Sequence, residues 1–414
     1  MPIPSPLHSR TAPLCITQEW RDWSGYLAAI TYQPAHEVEY YAVRNAAGLL
    51  DVSPLYKYEV SGPDALRLVN RVMTRDIAKC RVGQVMYSPW CDEDGKVIDD
   101  GTIARLGEQH FRLTAADPNL RWFQDVGHSM DAEVRDVSTK LAALALQGPN
   151  SLPILKILFE GKQSRGLLRR DESPPRNGQL DELRYYYLMQ TEFDGVPMTI
   201  TRTGYTGDRG YELWIAAEKA PALWDNLMEE GKGYGIIPFG LAALDILRVE
   251  AGLLLIEVDY TSSQHARIPA QKSSPYEIGL GWAVDLNKDD FIGQRALRAE
   301  KKAGAPRTFV GLEVDWKDLD RLYGAVNLPP QVAGRASRIA VPLYVNGKHV
   351  GQATSMVFSP ILKKYVALAT IESGYAQMGK EIEFEVTVEY VRVRAKAKVT
   401  KSLFYEPPQK KAVG

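Results

Sequence analysis

The stretch Thr201-Arg-Thr-Gly-Tyr-Thr-Gly-Asp-Arg-Gly-Tyr-Glu-Leu-Trp-Ile215 carries the most informative pattern in the chain. It lies between two strand-like runs, at 196–200 and 211–215, and has a glycine at every third position from 204 to 210. Glycine permits positive φ and lets another molecule approach the main chain closely. A plain structural turn accounts for the glycines equally well, because a glycine-rich loop alone is weak evidence of a binding site.

The chain has 414 residues, more than one hydrophobic core usually supports, so we expect two or three domains. Hydrophobic residues make up 45% and charged residues 24%, as in ordinary globular proteins. The net charge of −1 gives no attraction for nucleic acid or an anionic membrane, and no apolar run reaches the roughly 18 residues of a spanning helix. Three scattered cysteines favour neither a disulfide framework nor a zinc site. We therefore expect a cytoplasmic protein with no nucleic-acid partner, no membrane partner and no metal.

Helical and strand-like patterns are interleaved up to about residue 251, which predicts α+β layers rather than a doubly wound parallel sheet. Helices are predicted at 34–47, 63–72, 118–127, from 150, at 220–232 and at 240–251, and strands include 84–91, 97–106, 110–114, 140–147 and 183–190. A polar stretch at 161–179 suits a loop. After about Arg307, short strand-like runs with regular turn signals, the last at 382–398, predict a small β-barrel or sandwich. The polar, proline-containing tail from 406 is predicted to be mobile.

Asp99 and Asp100 lie on the second arm of a predicted β-hairpin, after the turn Asp92-Glu-Asp-Gly95. Neighbouring side chains on a strand point to opposite faces, so one carboxylate would point inward and the other towards water. An inward carboxylate is able to accept a proton from an amine. The alternative is that both carboxylates cap a solvated turn.

Glu212 follows the glycines and alternates with Leu213 and Trp214, so it is placed to face a cavity. A buried carboxylate needs paired donors, because otherwise desolvation makes it take up a proton. A heterocycle with an amino group beside a ring N–H, such as a pterin or a guanine, offers two parallel donors. The alternative is a buried ion pair with Arg202 or Arg209.

Other candidate groups carry less information. The six histidines are isolated and lack the spacing of a helical zinc site. Arg121 has a planar fork that would suit a substrate carboxylate, but a surface helix residue is the alternative.

Several blocks together resemble the glycine-cleavage T-protein (aminomethyltransferase) family of tetrahydrofolate enzymes. The most specific is Arg202-Thr-Gly-Tyr-Thr-Gly-Asp-Arg-Gly-Tyr-Glu212. The other blocks occur in family order: Ala42-Val-Arg-Asn-Ala-Ala-Gly-Leu-Leu-Asp-Val-Ser53, Asp94-Gly-Lys-Val-Ile-Asp-Asp100, Leu146-Gln-Gly-Pro149, Leu247-Arg-Val-Glu-Ala-Gly252, Ser274-Pro-Tyr-Glu-Ile-Gly-Leu-Gly-Trp282, Asp290-Phe-Ile-Gly-Gln-Arg-Ala296 and Ser355-Met-Val-Phe-Ser-Pro360. The likeness extends from about residue 20 to 405.

The resemblance implies an α+β fold in which a folate-binding body of two related subdomains and a small β-barrel form a ring around a central channel. The expected boundaries are a flexible leader at 1–15, the folate-binding aminomethyltransferase-like domain at 16–304, the C-terminal β-barrel at 305–405 and a tail at 406–414.

The resemblance also implies tetrahydrofolate as the cofactor and assigns residues to it. Asp100 would be the catalytic carboxylate near the folate N5 nitrogen. The cofactor-binding residues would be Tyr87 and Tyr205 at the pterin, Glu212 at its amino edge, Arg202 and Trp282. Arg121, Tyr260 and Tyr56 are weaker candidates for binding the one-carbon donor, with Tyr260 or a water protonating the leaving group.

Departures from the family pattern fall on the donor side. Typical members have an asparagine at the position of Ala116, an arginine at that of Ala243 and a histidine at that of Pro54, and they lack the extra residues at 260–268. The pterin motif is kept. These differences favour a demethylase that moves a methyl group from an O-, N- or S-methylated small molecule, such as a methoxylated aromatic acid, to folate N5.

Two alternatives remain open at this point. The first is an aminomethyltransferase that takes the aminomethyl arm of a lipoylated carrier protein. The second is a folate-binding protein without transfer chemistry.

Overall fold

The computed structural model describes residues 1–160 and 180–412, so the loop predicted at 161–179 lies outside the described residues. The chain divides into two compact units. The first contains Met1–Ser88, Asp100–Leu244 and Glu406–Gly414, and the second contains Pro89–Asp99 and Asp245–Tyr405. Among the described residues, no helix is both long enough and apolar enough to cross a membrane.

A helix forms in each predicted region, and the structure adds three that the sequence patterns did not indicate, α1, α8 and α9. They are α1 (His8–Thr11), α2 (His36–Asn45), α3 (Ala65–Val72), α4 (Leu120–Val126), α5 (Ser151–Glu160), α6 (Ala220–Glu230), α7 (Leu241–Glu250), α8 (Gln294–Ala303) and α9 (Trp316–Gly324). Helix α9 begins after Asp315, whose carboxylate accepts from the backbone N–H groups of Lys317 and Asp318. This cap satisfies two of the donors that the first turn of a helix leaves exposed.

The strands make two open sheets, a hairpin and a closed barrel. They are β1 (Glu19–Trp23), β2 (Tyr26–Thr31), β3 (Ala47–Asp51), β4 (Tyr56–Ser61), β5 (Val85–Cys91), β6 (Val97–Gly107), β7 (His110–Ala115), β8 (Glu133–Asp136), β9 (Leu141–Gln147), β10 (Leu188–Phe193), β11 (Val196–Thr201), β12 (Gly210–Ala216), β13 (Ile236–Pro238), β14 (Arg307–Val314), β15 (Val341–Val345), β16 (Lys348–Ser359), β17 (Lys364–Glu372), β18 (Glu381–Val388) and β19 (Val391–Thr400).

The six-stranded sheet has the order β10-β11-β12-β9-β3-β13 and belongs to the first unit. Alternate residues of β12, among them Tyr211, Leu213 and Ile215, pack in one apolar core with α6 residues such as Leu223 and Trp224. Because strand side chains alternate between faces, Glu212 projects from the opposite face of the sheet.

The five-stranded sheet has the order β5-β6-β7-β4-β8. Its first strand meets the six-stranded sheet at Tyr186, whose carbonyl oxygen accepts from Val85 N at 2.8 Å. The Tyr186 N–H in turn donates to the carbonyl oxygen of Arg202 at 3.0 Å, and Leu188 N donates to Gly83 O at 2.9 Å. These backbone hydrogen bonds bring the start of β5 next to the start of the glycine-rich loop.

The second unit contains a closed barrel in the order β14-β17-β16-β15-β18-β19. Asp259, which precedes the barrel in the chain, binds to strand β16 of the barrel. Its carboxylate accepts from Thr354 Oγ1 at 2.6 Å and from Ser355 Oγ at 2.7 Å. Arg248 pairs with the same carboxylate at 2.6 Å and is fully buried. Asp259 therefore holds the chain against the barrel directly before residues 260–268, which depart from the family pattern.

The α+β class and the C-terminal barrel are confirmed. Three local predictions were wrong. The helix predicted at 34–47 ends at Asn45, because Ala47–Asp51 pairs as a strand with β9 and, in parallel, with β13. The strand predicted at 183–190 begins only at Leu188, and the run at 382–398 is two strands that turn at Glu389 and Tyr390.

Candidate active site

Asp100 lies on β6, where the hairpin backbone approaches β7 closely. A Cβ atom at Gly101 would stand 1.9 Å from the carbonyl oxygen of Thr114, so only glycine allows this approach. The backbone N–H of Thr102 donates to Thr114 Oγ1 at 2.9 Å and holds the two strands in register. Asp99 is fully buried, whereas Asp100 is partly exposed, as strand alternation predicts.

Tyr87, on β5, donates a hydrogen bond of 2.5 Å to Asp100 Oδ2. Burial raises the pKa of Tyr87 well above its ordinary value, and the charge of Asp100 and the hydroxyls of Tyr205 and Tyr186 raise it further. Tyr87 therefore stays protonated and remains a donor to Asp100 across the physiological range. The same interactions place Tyr205, from the glycine-rich loop, near this pair.

Glu212 is a partly buried carboxylate held by hydroxyl groups. Its Oε2 accepts from Thr203 Oγ1 at 2.6 Å and from Thr201 Oγ1 at 3.4 Å. Within residues 1–160 and 180–412, no donor reaches Oε1 and no basic side chain pairs with Glu212, so the ion pair with Arg202 or Arg209 is not formed. Burial consequently raises the pKa of Glu212, and the threonine hydroxyls offset only part of the rise.

Tyr186 interacts electrostatically with both Glu212 and Tyr87. Burial is the largest cause of its raised pKa, and the charge of Glu212 adds to the rise. Tyr186 in turn contributes to the raised pKa of Tyr87, the donor to Asp100. Both carboxylates belong to the first unit, and electrostatic interactions through Tyr87 and Tyr186 link Asp100 to Glu212.

The glycines of the loop make room for a side chain of the protein itself. A Cβ atom at either Gly204 or Gly210 would stand 2.1 Å from Gln147 Oε1. The fully buried Gln147 accepts from Thr206 Oγ1 at 2.9 Å and donates to the carbonyl oxygen of Thr203 at 3.3 Å. The amide of Gln147 is therefore the group that approaches the main chain at these two glycines, and it sets the path of the loop.

We expect Gln147→Ala to lower the free energy of unfolding by about 1–3 kcal/mol, because buried polar groups of the loop lose their partner. Denaturant unfolding followed by circular dichroism measures the change. Gln190→Ala is the control, since this exposed amide on β10 makes one hydrogen bond, of 3.2 Å, to Leu106 O and its loss is expected to cost no more than about 0.5 kcal/mol. A Gln147 variant as stable as the unaltered protein would contradict this role.

The other predicted residues of the first unit have separate surroundings. Arg202 is buried, and its guanidinium donates to backbone carbonyl oxygens, among them Leu183 O at 2.8 Å. The Arg121 side chain is 94% exposed and pairs with Asp125 at 3.7 Å, as a surface helix residue does. Tyr56 stacks on Tyr58 with ring centroids 6.5 Å apart. Their proposed roles in cofactor or donor binding stay predictions.

Two predicted residues lie in the second unit. Trp282 is 63% exposed, in the short helical turn Gly281–Ala283. Tyr260 is buried, and its carbonyl oxygen accepts from Glu257 N at 2.7 Å. Cofactor binding by Trp282 and donor binding by Tyr260 likewise remain predictions.

Tyr186 and Gln147 are the residues near the site to which the sequence patterns assigned no role. Tyr186 has a positive φ of 62°, which a strand-like run of tyrosines does not indicate. Gln147 belongs to the block Leu146-Gln-Gly-Pro149. Its contact with Gly204 and Gly210 could not be predicted, because these positions are distant in sequence. The spacing of the three glycines was the one sequence signal for this contact, because glycines leave space that another group is able to fill.

Comparison with known proteins gives consistent matches over most of the chain. Residues 15–288 match the family model described as the GCVT N-terminal domain, and residues 326–406 match the glycine cleavage T-protein C-terminal barrel domain. An aminomethyltransferase of Desulfitobacterium hafniense is 34% identical over 389 residues, which is 93% of each chain. An aminomethyltransferase of Moorella thermoacetica is 35% identical over 393 residues, which is 94% of each chain.

A solved structure has the same fold. The glycine cleavage system aminomethyltransferase T of Bartonella henselae superposes with a TM-score of 0.79 at 24% identity, covering 98% of this chain and 99% of that one.

Proposed function

The chain belongs to the glycine-cleavage T-protein family of tetrahydrofolate-dependent one-carbon transferases, and from this we propose that Asp100, Tyr87, Tyr205 and Glu212 form its transfer site. The observation that carries the proposal is the carboxylate of Glu212. It is partly buried and has no basic partner among the described residues, yet it stands in the same neighbourhood as the Tyr87–Asp100 pair.

The residues present fit a reduced pterin. Oε1 of Glu212 has no donor within the described part of the chain, and the pterin edge supplies an amino group beside a ring N–H. Two such donors stabilise the ionised carboxylate and offset the desolvation that raises its pKa. Tyr205 adds an aromatic face for packing.

Tetrahydrofolate, when bound, supplies the nucleophilic N5 nitrogen that takes up the one-carbon unit. Asp100 would accept the proton that this nitrogen carries, because its carboxylate is open to a ligand and is oriented by the Tyr87 hydroxyl. Tyr87 fixes the orientation of Asp100 through the 2.5 Å hydrogen bond. Glu212 holds the far edge of the cofactor, so the reacting atoms stay aligned.

The donor that we propose is the aminomethyl arm of a lipoylated carrier protein. Support comes from the two relatives named aminomethyltransferase, each of which this chain covers over more than nine-tenths of its length. In this reaction the bonds from the carbon to the lipoyl sulfur and to the amino nitrogen would break, and two bonds from the carbon to folate nitrogens would form. The two protons displaced from those nitrogens would leave with ammonia and the lipoyl thiol.

A demethylase is the second candidate, and a specific observation favours it. Ala243, at the position where typical members carry arginine, is fully buried in α7. Ala116 and Pro54 likewise lack the side chains of typical members. A donor side without these groups suits a small methylated molecule better than the typical aminomethyl donor.

An assay of folate products decides between the donors. The purified protein is incubated with tetrahydrofolate and either an aminomethylated lipoyl carrier or a panel of methoxylated aromatic acids and methylated sulfonium compounds. We expect methylene-tetrahydrofolate and ammonia from the carrier, measured by mass spectrometry. Methyl-tetrahydrofolate formed only from a small methylated donor would establish the demethylase instead, and no product with any donor would contradict both.

A further inference from the structure

The sequence predicts a mobile tail from residue 406. In the structure, the segment Glu406–Ala412 instead lies against the glycine-rich loop. Two arginines of the loop donate to its backbone carbonyl oxygens. Arg202 donates to Lys410 O at 3.2 Å and to Ala412 O. Arg209 donates through Nε to Gln409 O and through a terminal nitrogen to Ala412 O, each at 3.1 Å.

Both arginines are buried, with 1% of Arg202 and 8% of Arg209 exposed. In the described part of the chain no carboxylate lies within ion-pair distance of Arg202, so backbone carbonyl oxygens are its acceptors. A buried cation that loses its acceptors is strongly destabilised. The segment therefore supplies acceptors that help to hold the loop in this path.

A third contact joins the segment to the middle of the loop. The Gln409 side-chain amide donates to Asp208 Oδ1 at 3.3 Å. The other oxygen of Asp208 faces Arg44 at 3.5 Å, and Arg44 also donates to the carbonyl oxygen of Thr206 at 3.0 Å. The segment is thus connected to the loop on both sides of Tyr205.

We propose that the segment Glu406–Ala412 is a positioning element of the pterin site. Through Arg202 and Arg209 it holds the loop that presents Tyr205 and leads into Glu212, so it sets the affinity for the cofactor without touching the reacting atoms. This inference rests on the proposed function. Asp100 and Tyr87 lie on β6 and β5 and belong to the other sheet, so the proton-transfer step is not expected to depend on the segment.

The test is Arg209→Lys in the full chain, because one ammonium group cannot reproduce the two directed bonds of the guanidinium fork. We expect the KM for tetrahydrofolate to rise about tenfold while kcat falls less than about threefold. Arg135→Lys is the matched control, since this exposed arginine pairs at the surface with Glu133, at 3.0 Å, and both constants should stay within about twofold. A merely structural role would lower the melting temperature and leave the KM of the folded protein unchanged.

A chain that ends at Tyr405 provides the second measurement. Its KM is expected to rise by about 100-fold, since Arg202 and Arg209 both lose the carbonyl oxygens that the segment supplies, and a peptide of residues 406–414 should restore affinity in proportion to its concentration. If the unaltered protein binds tetrahydrofolate and both variants match its KM, the positioning role is overturned. If the unaltered protein does not bind tetrahydrofolate at all, the proposed function itself fails.

Discussion

Asp100→Asn is expected to lower kcat by roughly 10²–10⁴-fold, the contribution of a positioned general base. The amide keeps the shape of the side chain and still accepts the hydrogen bond from Tyr87, but it cannot take up a proton. Binding of tetrahydrofolate, measured by calorimetry, should stay within about threefold, because in the proposed site Glu212 rather than Asp100 binds the pterin edge.

Asp94→Asn is the control for this variant. Asp94 is an exposed carboxylate in the turn of the same hairpin, and its replacement should leave kcat within about twofold. A fully active Asp100 variant would remove Asp100 from the chemistry. An unaltered protein that binds tetrahydrofolate tightly and transfers nothing would instead favour the non-catalytic folate-binding alternative.

Glu212→Gln is expected to weaken tetrahydrofolate binding by roughly 100-fold, because two hydrogen bonds to a charged acceptor are replaced by one neutral acceptor and a clashing donor. The variant should be no less stable than the unaltered protein without cofactor. Burial already raises the pKa of Glu212, so removing the charge relieves a cost of folding.

The pH dependence of binding gives a second signature of Glu212. Its pKa is raised in the folded protein, so its ionisation costs stability as pH rises from the unfolded pKa towards the folded one. The pterin donors need the ionised form. Affinity is therefore lost as pH falls through the raised pKa of Glu212, above the value of about 4.3 of an ordinary glutamate.

The affinity of the Glu212→Gln protein for tetrahydrofolate, measured as a function of pH, should lack this loss at low pH, which we call the acid limb. Glu218→Gln, a replacement of an exposed glutamate just after β12, is the matched control and should keep it. An unchanged affinity and an unchanged acid limb in the Glu212 variant would show that the pterin edge binds elsewhere.

Much of the fold was predictable because local patterns and tertiary contacts agree. The hairpin that carries Asp100 combines two alternating runs with the turn ending at Gly95, and β5 and β6 form there. The failures occur where long-range pairing or unusual dihedral angles decide the structure. Glu389 and Tyr390 turn the chain with φ values of 46° and 66°, in a pair of residues that gives no turn signal.

The candidate site was predictable in its residue types but not in its connections. Donor matching indicated a ligand for Glu212, yet spacing alone could not decide between that ligand and an ion pair with Arg202 or Arg209. In the structure, residues 406–412 offer carbonyl oxygens to both arginines, and neither arginine pairs with Glu212. A polar, proline-containing stretch carries no sequence signal for such a contact, because any residue supplies a backbone carbonyl.

The amide of Gln147 between Gly204 and Gly210 has a consequence for anyone who wants to redirect this enzyme to new donors. Gln147, Gly204 and Gly210 are packed against one another, so we expect a substitution at any one of them to change the conformation of the loop. Substitutions are better placed at Pro54, Ala116 and 260–268, where this chain departs from the typical family pattern, because they leave the proposed pterin contacts unchanged.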